Sequence, residues 1–156
     1  MGEELSTPIE GLFVFSKKQF INEQGAVFHF LKEADPHFSK IAEVYFSFTN
    51  YGFVKGWKRH LEMDQNFIVP VGQMKFVFFD DRENSSTRGK VFEIVIGVQN
   101  YHLLKVPHGI WYSFSPETKE GAMIANATSI SHAPNETVLK DIYDPSIPYR
   151  WKETQS

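Results

Sequence analysis

The residues best suited to chemistry lie in one stretch, GWKRHLEMDQNFIVPVGQ, which runs from Gly56 to Gln73. Within it, Lys58, His60 and Glu62 are spaced two residues apart. In a β-strand this spacing places the three side chains on one face and Trp57 on the other. A face with an amine, an imidazole and a carboxylate is poor material for a core. It therefore lies in solvent or lines a polar cavity, and for an isolated strand plain exposure is the simpler interpretation.

A catalytic metal is the first chemical interpretation of this stretch. Metal sites in small β-barrels typically take two histidines and a carboxylate from one pair of strands. Here Lys58 occupies the position of the second histidine, and an ammonium cannot bind a metal until it loses its proton. His102 and His108 lie on a later segment and could in principle contribute. The residues favour a site without a bound metal.

Composition restricts the class of protein. The chain has 156 residues, about one domain, and its 15% aromatic content with 15 Phe favours β-structure. A net charge of −3 gives no electrostatic reason to expect nucleic acid or an anionic membrane as partner. The absence of cysteine excludes disulfides, thiolate metal sites and a cysteine nucleophile. We expect a cytoplasmic protein, because we find no signal-peptide pattern and no apolar run of membrane length.

Short aromatic runs separated by turn residues predict a sandwich or barrel formed by a single domain, residues 1–156. The one helix candidate is the short segment Pro36–Ile41. The aromatic tail DIYDPSIPYRW, residues 141–151, is expected to pack onto the barrel. The predicted strands are Ala26–Leu31, Glu43–Phe48, Phe53–Trp57, Asn66–Val69, Lys75–Phe79, Val91–Ile96, His102–Val106, Ile110–Phe114 and Ala122–Ala127.

Five segments in the same order resemble the dTDP-4-dehydrorhamnose 3,5-epimerase family: IEGLFVFSKKQFINEQGAVFHF, NYGFVKGWKRH, QNFIVPVGQMKFVFFDDR, VPHGIWYSF and YDPSIPYRW. The second is similar to the family's Arg-Gly-Leu-His-Tyr-Gln, and the fourth to its Pro-x-Gly-Phe-Ala-His-Gly-Phe. The resemblance implies an all-β, cupin-type double-stranded β-helix, or jelly-roll sandwich, with one or two short helical turns. It also implies a homodimer that binds a nucleotide-linked sugar inside the barrel, with no metal and no other cofactor.

The chemistry implied is acid–base epimerisation beside the C4 ketone of the sugar, for polysaccharide biosynthesis. The resemblance places substitutions at most of the family's functional positions. Lys58 stands at the base histidine, and His60 at a following glutamine. Gln65 stands at the lysine that stabilises the enolate, and Asn126 lies near the acid tyrosine. Tyr112 replaces a histidine. Gln24 and Lys55 replace two arginines that hold the diphosphate, and Asp144 matches the aspartate that partners the base.

These replacements remain polar or amphipathic, which favours a rebuilt site over a decayed one. Lys58 is a doubtful base, because a nearby Asp144 would favour its ammonium. We expect catalysis by His60 as base and Tyr112 as acid, with Lys58 stabilising the enolate and Asp144 beside them. Gln24, Lys55, Gln65 and Asn126 are the expected substrate contacts. Two alternatives stay open: a cupin that binds nucleotide sugars without catalysis, and a metal-dependent cupin of another kind.

Overall fold

A computed structural model describes residues 2–152, and these residues form β-strands and no helix. Among them, accordingly, no helix is long and apolar enough to cross a membrane. The strands are Glu4–Leu5 (β1), Phe13–Ser16 (β2), Gln19–Asn22 (β3), Gly25–Phe28 (β4), Glu43–Thr49 (β5), Lys55–His60 (β6), Gln65–Val71 (β7), Gln73–Asp80 (β8), Val91–Gly97 (β9), His102–Val106 (β10), Ile110–Pro116 (β11), Ala122–Thr128 (β12) and Thr137–Leu139 (β13).

Two antiparallel sheets form a sandwich. The six-stranded sheet has the order β1-β2-β10-β7-β12-β5, and the five-stranded sheet has the order β13-β6-β11-β8-β9. Strands β3 and β4 form a separate hairpin. The all-β, cupin-type sandwich expected from the sequence is confirmed.

The core between the sheets follows from the two-residue period of the strands. On β11, Tyr112 and Phe114 belong to the main apolar cluster, together with Phe67 of β7 and Phe76 of β8. Trp111 of the same strand points the other way, into a second cluster. One strand therefore supplies the interior and the outer face in alternation.

The second cluster lies on the outer face of the five-stranded sheet and includes part of the tail. Ile147 is fully buried there beside Trp57. The ring of Tyr149 meets Trp57 edge-on at 6.2 Å, and Trp151 Nε1 donates a hydrogen bond to Ser113 Oγ at 2.8 Å. These contacts are of the kind expected for residues 141–151. The single-domain organisation of residues 1–156 stays a prediction, since residues 153–156 lie outside the described part.

The helix expected at Pro36–Ile41 is wrong. The segment is a turn in which His37 has a φ of 59°, a left-handed conformation that no α-helix contains. The His37 ring stacks on Phe13 at 3.6 Å, while the Asp35 carboxylate accepts hydrogen bonds from Lys17 Nζ and the backbone N–H of Lys32. These contacts hold the segment in a turn, and the short helical turn expected here does not form.

Several strand boundaries also differ from expectation. β6 begins at Lys55 and not at Phe53, and it continues to His60. β7 runs through Pro70 to Val71, and the turn follows at Gly72 with a φ of +75°. A Cβ on Gly72 would lie 2.5 Å from the carbonyl oxygen of Gly121, so this turn requires glycine. The short strands β1, β2, β3 and β13 were not predicted.

Candidate active site

A cavity of about 490 Å³ opens between the edges of the two sheets. Its volume is within the range of small-molecule binding sites. Strand β5 of the six-stranded sheet lines one wall, while β6, β11 and β13 of the five-stranded sheet line the other. The lining residues are Glu43, Val44, Tyr45, Lys58, His60, Met63, Tyr112, His132 and Thr137.

Strand β6 positions two of the predicted catalytic residues. Lys58 and His60 both line the cavity, whereas Trp57, the residue before Lys58, is fully buried in the outer cluster. The alternation along this strand therefore places the polar face in a cavity and not in open solvent. Glu62 lies beyond the end of the strand and is exposed, so it does not share that wall.

His60 forms a hydrogen bond with Tyr112. His60 Nε2 and Tyr112 Oη are 3.1 Å apart, and both side chains are buried. Burial lowers the pKa of His60 to about 4, a shift that the nearby carboxylate of Glu136 opposes. Burial also raises the pKa of the Tyr112 hydroxyl well above its usual value. At neutral pH the imidazole is therefore uncharged, and the Tyr112 hydroxyl keeps its proton.

Glu136 stands behind His60, on the side away from Tyr112. Its Oε1 lies 3.9 Å from His60 Nδ1, and it accepts hydrogen bonds from the backbone N–H groups of Glu62 at 2.8 Å and Met63 at 2.7 Å. Burial opposes its ionisation, yet these donors and His60 hold the pKa of its carboxyl below the usual value. The His60 imidazole thus lies between the Tyr112 hydroxyl and the buried carboxylate of Glu136.

Sequence reasoning missed Glu136. It lies 76 residues after His60 in a loop, SHAPNE, whose composition is that of an ordinary exposed turn. Only the pairing of β13 with β6, in which Thr137 lies opposite His60, brings the carboxylate to the imidazole. No local pattern in the sequence indicates that contact.

Lys58 faces the cavity as a cation without a counter-ion. Within residues 2–152 its ammonium forms no salt bridge, and burial, aided by the nearby charge of Lys55, lowers its pKa. Lys55 itself does not line the cavity: its Nζ donates hydrogen bonds to Ser47 Oγ at 3.0 Å and to the carbonyl of Phe48 at 2.9 Å. The energy of Lys58 would fall if a negative charge appeared in the cavity.

A chain of hydrogen bonds supports the opposite wall. Asn126 Nδ2 donates to Tyr45 Oη at 2.9 Å and to Gln65 Oε1 at 3.0 Å. Gln65 and Asn126 are almost completely buried and lie behind the cavity surface, while Tyr45 forms part of the surface itself. Tyr45 was not predicted as a site residue. Burial raises the pKa of its hydroxyl, and the bond from Asn126 acts in the opposite sense.

Asp144 and Gln24, both expected at the site, also lie elsewhere. Asp144 is in the tail, where its Oδ1 accepts hydrogen bonds from the backbone N–H and the hydroxyl of Ser146, and it does not line the cavity. Gln24 is exposed in the turn of the β3–β4 hairpin. Thus Lys58, His60 and Tyr112 are brought together on one wall, and Gln65 and Asn126 lie behind Tyr45 on the opposite wall. Lys55, Asp144 and Gln24 do not line this cavity.

The described part of the chain contains no group of three or more His, Asp or Glu residues arranged to hold a metal ion. His108, one of the later histidines considered as a ligand, pairs with Asp64 at 2.8 Å and does not line the cavity. His102 also lies outside the lining.

Comparison with known proteins gives consistent matches. A family model of dTDP-4-dehydrorhamnose 3,5-epimerases matches residues 6–156. The probable low-salt glycan biosynthesis epimerase Agl13 of Haloferax volcanii is 34% identical over 121 residues, which cover 75% of this chain and 69% of that protein. The crystal structure of a dTDP sugar isomerase from Desulfovibrio desulfuricans superposes with a TM-score of 0.91 at 38% identity, covering 94% of each chain. An epimerase from Legionella pneumophila, solved in complex with dTDP-4-keto-L-rhamnose, shares the fold at 18% identity, with a TM-score of 0.85 and coverage of 97% of this chain and 84% of that one.

Proposed function

The chain belongs to the dTDP-4-dehydrorhamnose 3,5-epimerase family, and on that premise we propose that it epimerises a nucleotide-linked 4-keto sugar during glycan biosynthesis. The observation that carries this proposal is the hydrogen-bonded pair of His60 and Tyr112 beside the unpaired ammonium of Lys58, in a cavity of ligand size. These are a proton acceptor and a stabilising cation in one place.

The reaction needs both functions. A hydrogen on the carbon next to a ketone is acidic because the electron pair left behind spreads onto the carbonyl oxygen as an enolate. A base must remove that proton, a positive group must stabilise the enolate oxygen, and an acid must return a proton to the carbon. No redox step is involved.

In our proposal the His60–Tyr112 pair takes the proton, so Tyr112 assists the base and is not the separate acid expected from the sequence. The neutral imidazole can accept a proton. Glu136 stabilises the imidazolium that results, as a carboxylate stabilises the histidine of a catalytic triad. Glu136 thereby takes the partner role that the sequence suggested for Asp144. Lys58 stabilises the enolate oxygen, because an ammonium without a counter-ion gains most from a new negative charge.

The substrate contacts stay predictions in part. Lys55 lies three residues before Lys58 on β6 and is proposed to attract the diphosphate as a point charge. Gln65 and Asn126 are proposed to act through Tyr45 and not by direct contact. Gln24 stays a predicted diphosphate contact, although it lies on the exposed hairpin.

We also propose a homodimer. The edge strand β5 presents the exposed aromatic side chains of Phe46 and Phe48, and Phe46 is 66% exposed. An apolar strand with an unpaired edge is a natural pairing surface for a second copy. Phe46→Lys is expected to give monomers in analytical ultracentrifugation, while the control Leu139→Lys, at an exposed position on β13, keeps the wild-type mass. A monomeric wild-type protein at micromolar concentration would refute the dimer.

The test of the activity is the uptake of deuterium from D₂O into dTDP-4-keto-6-deoxyglucose, followed by mass spectrometry. Uptake above the protein-free rate is expected, and the number of deuterons tells whether one carbon or two is attacked. Binding by calorimetry without uptake would favour a non-catalytic sugar-nucleotide-binding protein. Neither uptake nor binding would refute this substrate class.

Two further properties belong to the proposal. Activity is expected to be unchanged by EDTA, and loss with rescue by a divalent ion would show a metal-dependent enzyme instead. A cytoplasmic location is expected, and fractionation of the producing cells checks it.

A further inference from the structure

Three of the four predicted catalytic side chains, Lys58, His60 and Tyr112, lie on a single wall of the cavity. Lys58 and Tyr112 are directly paired across β6 and β11 of the five-stranded sheet, and His60 is hydrogen-bonded to Tyr112. A proton removed and returned by these groups would enter the carbon from the side it left. Inversion requires an acid on the other wall.

Strand β5 provides that wall. Tyr45 is directly paired with Asn126 of β12, so the two side chains share one face of the six-stranded sheet. Ile124, two residues before Asn126, belongs to the core between the sheets, which identifies that face as the inner one. Tyr45 therefore points inward and faces the cavity from the side opposite His60 and Tyr112.

The hydroxyl of Tyr45 is arranged to donate its proton. It accepts the hydrogen bond from Asn126 Nδ2 at 2.9 Å, and within residues 2–152 its own O–H donates to no protein group. The same amide would stabilise the phenolate that remains after the proton has left. Burial keeps the pKa of Tyr45 raised, so the hydroxyl is protonated at neutral pH.

The support for Tyr45 is costly for the fold. Asn126 is completely buried, and its Oδ1 has no hydrogen-bond partner in the described part of the chain. A buried amide with an unpaired oxygen is destabilising compared with an apolar side chain of the same size. The Gln65–Asn126 pair is therefore better explained as a support for the Tyr45 hydroxyl than as core packing.

We propose that Tyr45 is the catalytic acid that completes the inversion. The C–H bond breaks toward the His60–Tyr112 pair, and its electrons form the enolate. A new C–H bond then forms with the Tyr45 proton as the ketone returns. The Tyr45 phenolate, held by Asn126, regains a proton from water, and the His60–Tyr112 pair releases one. This inference rests on the proposed function.

The test separates proton removal from inversion in one variant. Tyr45→Phe, in D₂O with dTDP-4-keto-6-deoxyglucose, is expected to keep deuterium uptake but to form inverted product at least about 100-fold more slowly. Tyr51→Phe, an exposed tyrosine outside the cavity, is the matched control and is expected to behave as wild type. His132→Gln replaces another titratable side chain of the cavity lining and is also expected to invert.

The other outcomes contradict the proposal in distinguishable ways. Inversion by Tyr45→Phe at the wild-type rate, or loss of inversion in His132→Gln alone, would overturn the role of Tyr45 while leaving the activity in place. Loss of both uptake and inversion in Tyr45→Phe would show that it serves binding or proton removal, and not the return step. Absence of uptake by the wild-type protein would refute the proposed function, and the role of Tyr45 with it.

Discussion

Replacing His60 with Gln is expected to remove a pH-dependent component of stability between pH 4 and 6.5. His60 has a pKa of about 4 in the folded chain, against a usual value of 6.5. Between these values the unfolded chain binds a proton at this position and the folded chain does not, so stability falls as the pH falls. Above pH 6.5 the contribution is fully present.

The size of this component follows from the lowered pKa. A fall from 6.5 to about 4 corresponds to about 3 kcal/mol, at about 1.4 kcal/mol for each unit. Because the ring lines an open cavity that water reaches, we expect about 2 kcal/mol. The Gln side chain retains an oxygen that can accept the Tyr112 hydroxyl, so the core contact is preserved.

The assay is urea unfolding followed by tryptophan fluorescence, at pH values from 4.5 to 8. The difference in the free energy of unfolding between wild type and His60→Gln is expected to change with pH. The control His29→Gln, a substitution outside the cavity lining, is expected to show the same pH dependence as wild type. Glu136 contributes a separate loss of stability at lower pH. Because its pKa is lowered in the folded chain, the stability that it gives is lost as the pH falls below the usual pKa of a glutamate. An identical slope in wild type and His60→Gln would refute the assignment of a buried neutral imidazole.

Three further predictions test the frame and the site. Glu136→Gln keeps an oxygen for the backbone donors of Glu62 and Met63 but loses the charge behind His60, so kcat is expected to fall about 10- to 100-fold with little change in KM. Steady-state kinetics check this, with the exposed Glu62→Gln as the control. Equal effects of the two substitutions would contradict the prediction. Gly56→Ala would place a Cβ 2.6 Å from Ser113 Cβ at a φ of +130°, and is expected to lower the free energy of unfolding by about 3 to 5 kcal/mol. The control Gly89→Ala, at a φ of +92° with open space around it, is expected to lower it by only about 1 to 2 kcal/mol in the same denaturation experiment. Ile147→Ala is expected to cost about 3 kcal/mol because the side chain is fully buried, whereas exposed Leu139→Ala should stay within about 0.5 kcal/mol; a negligible effect of Ile147→Ala would show that the tail does not stabilise the sheet.

The strands were predictable where the pattern is strong. The run EVYFSF clusters aromatic residues and the run HLLKV is mostly apolar, and β5 and β10 begin where those runs predict. Prediction was wrong at Pro36–Ile41, where Asp35 and the His37–Phe13 contact decide the conformation. It missed short strands such as β13, whose three residues carry no periodic signal.

The sequence by itself determined that Lys58 and His60 share a face and that this face is unsuited to a core, because side chains alternate along any strand. Its resemblance to a family led to Tyr112 as their companion. Only the tertiary structure decided which groups surround them. Glu136 reaches His60 through the pairing of β13 with β6, and Tyr45 faces both from the second sheet. Such contacts join residues far apart in the chain, and they depend on register and sheet packing, which no local pattern encodes.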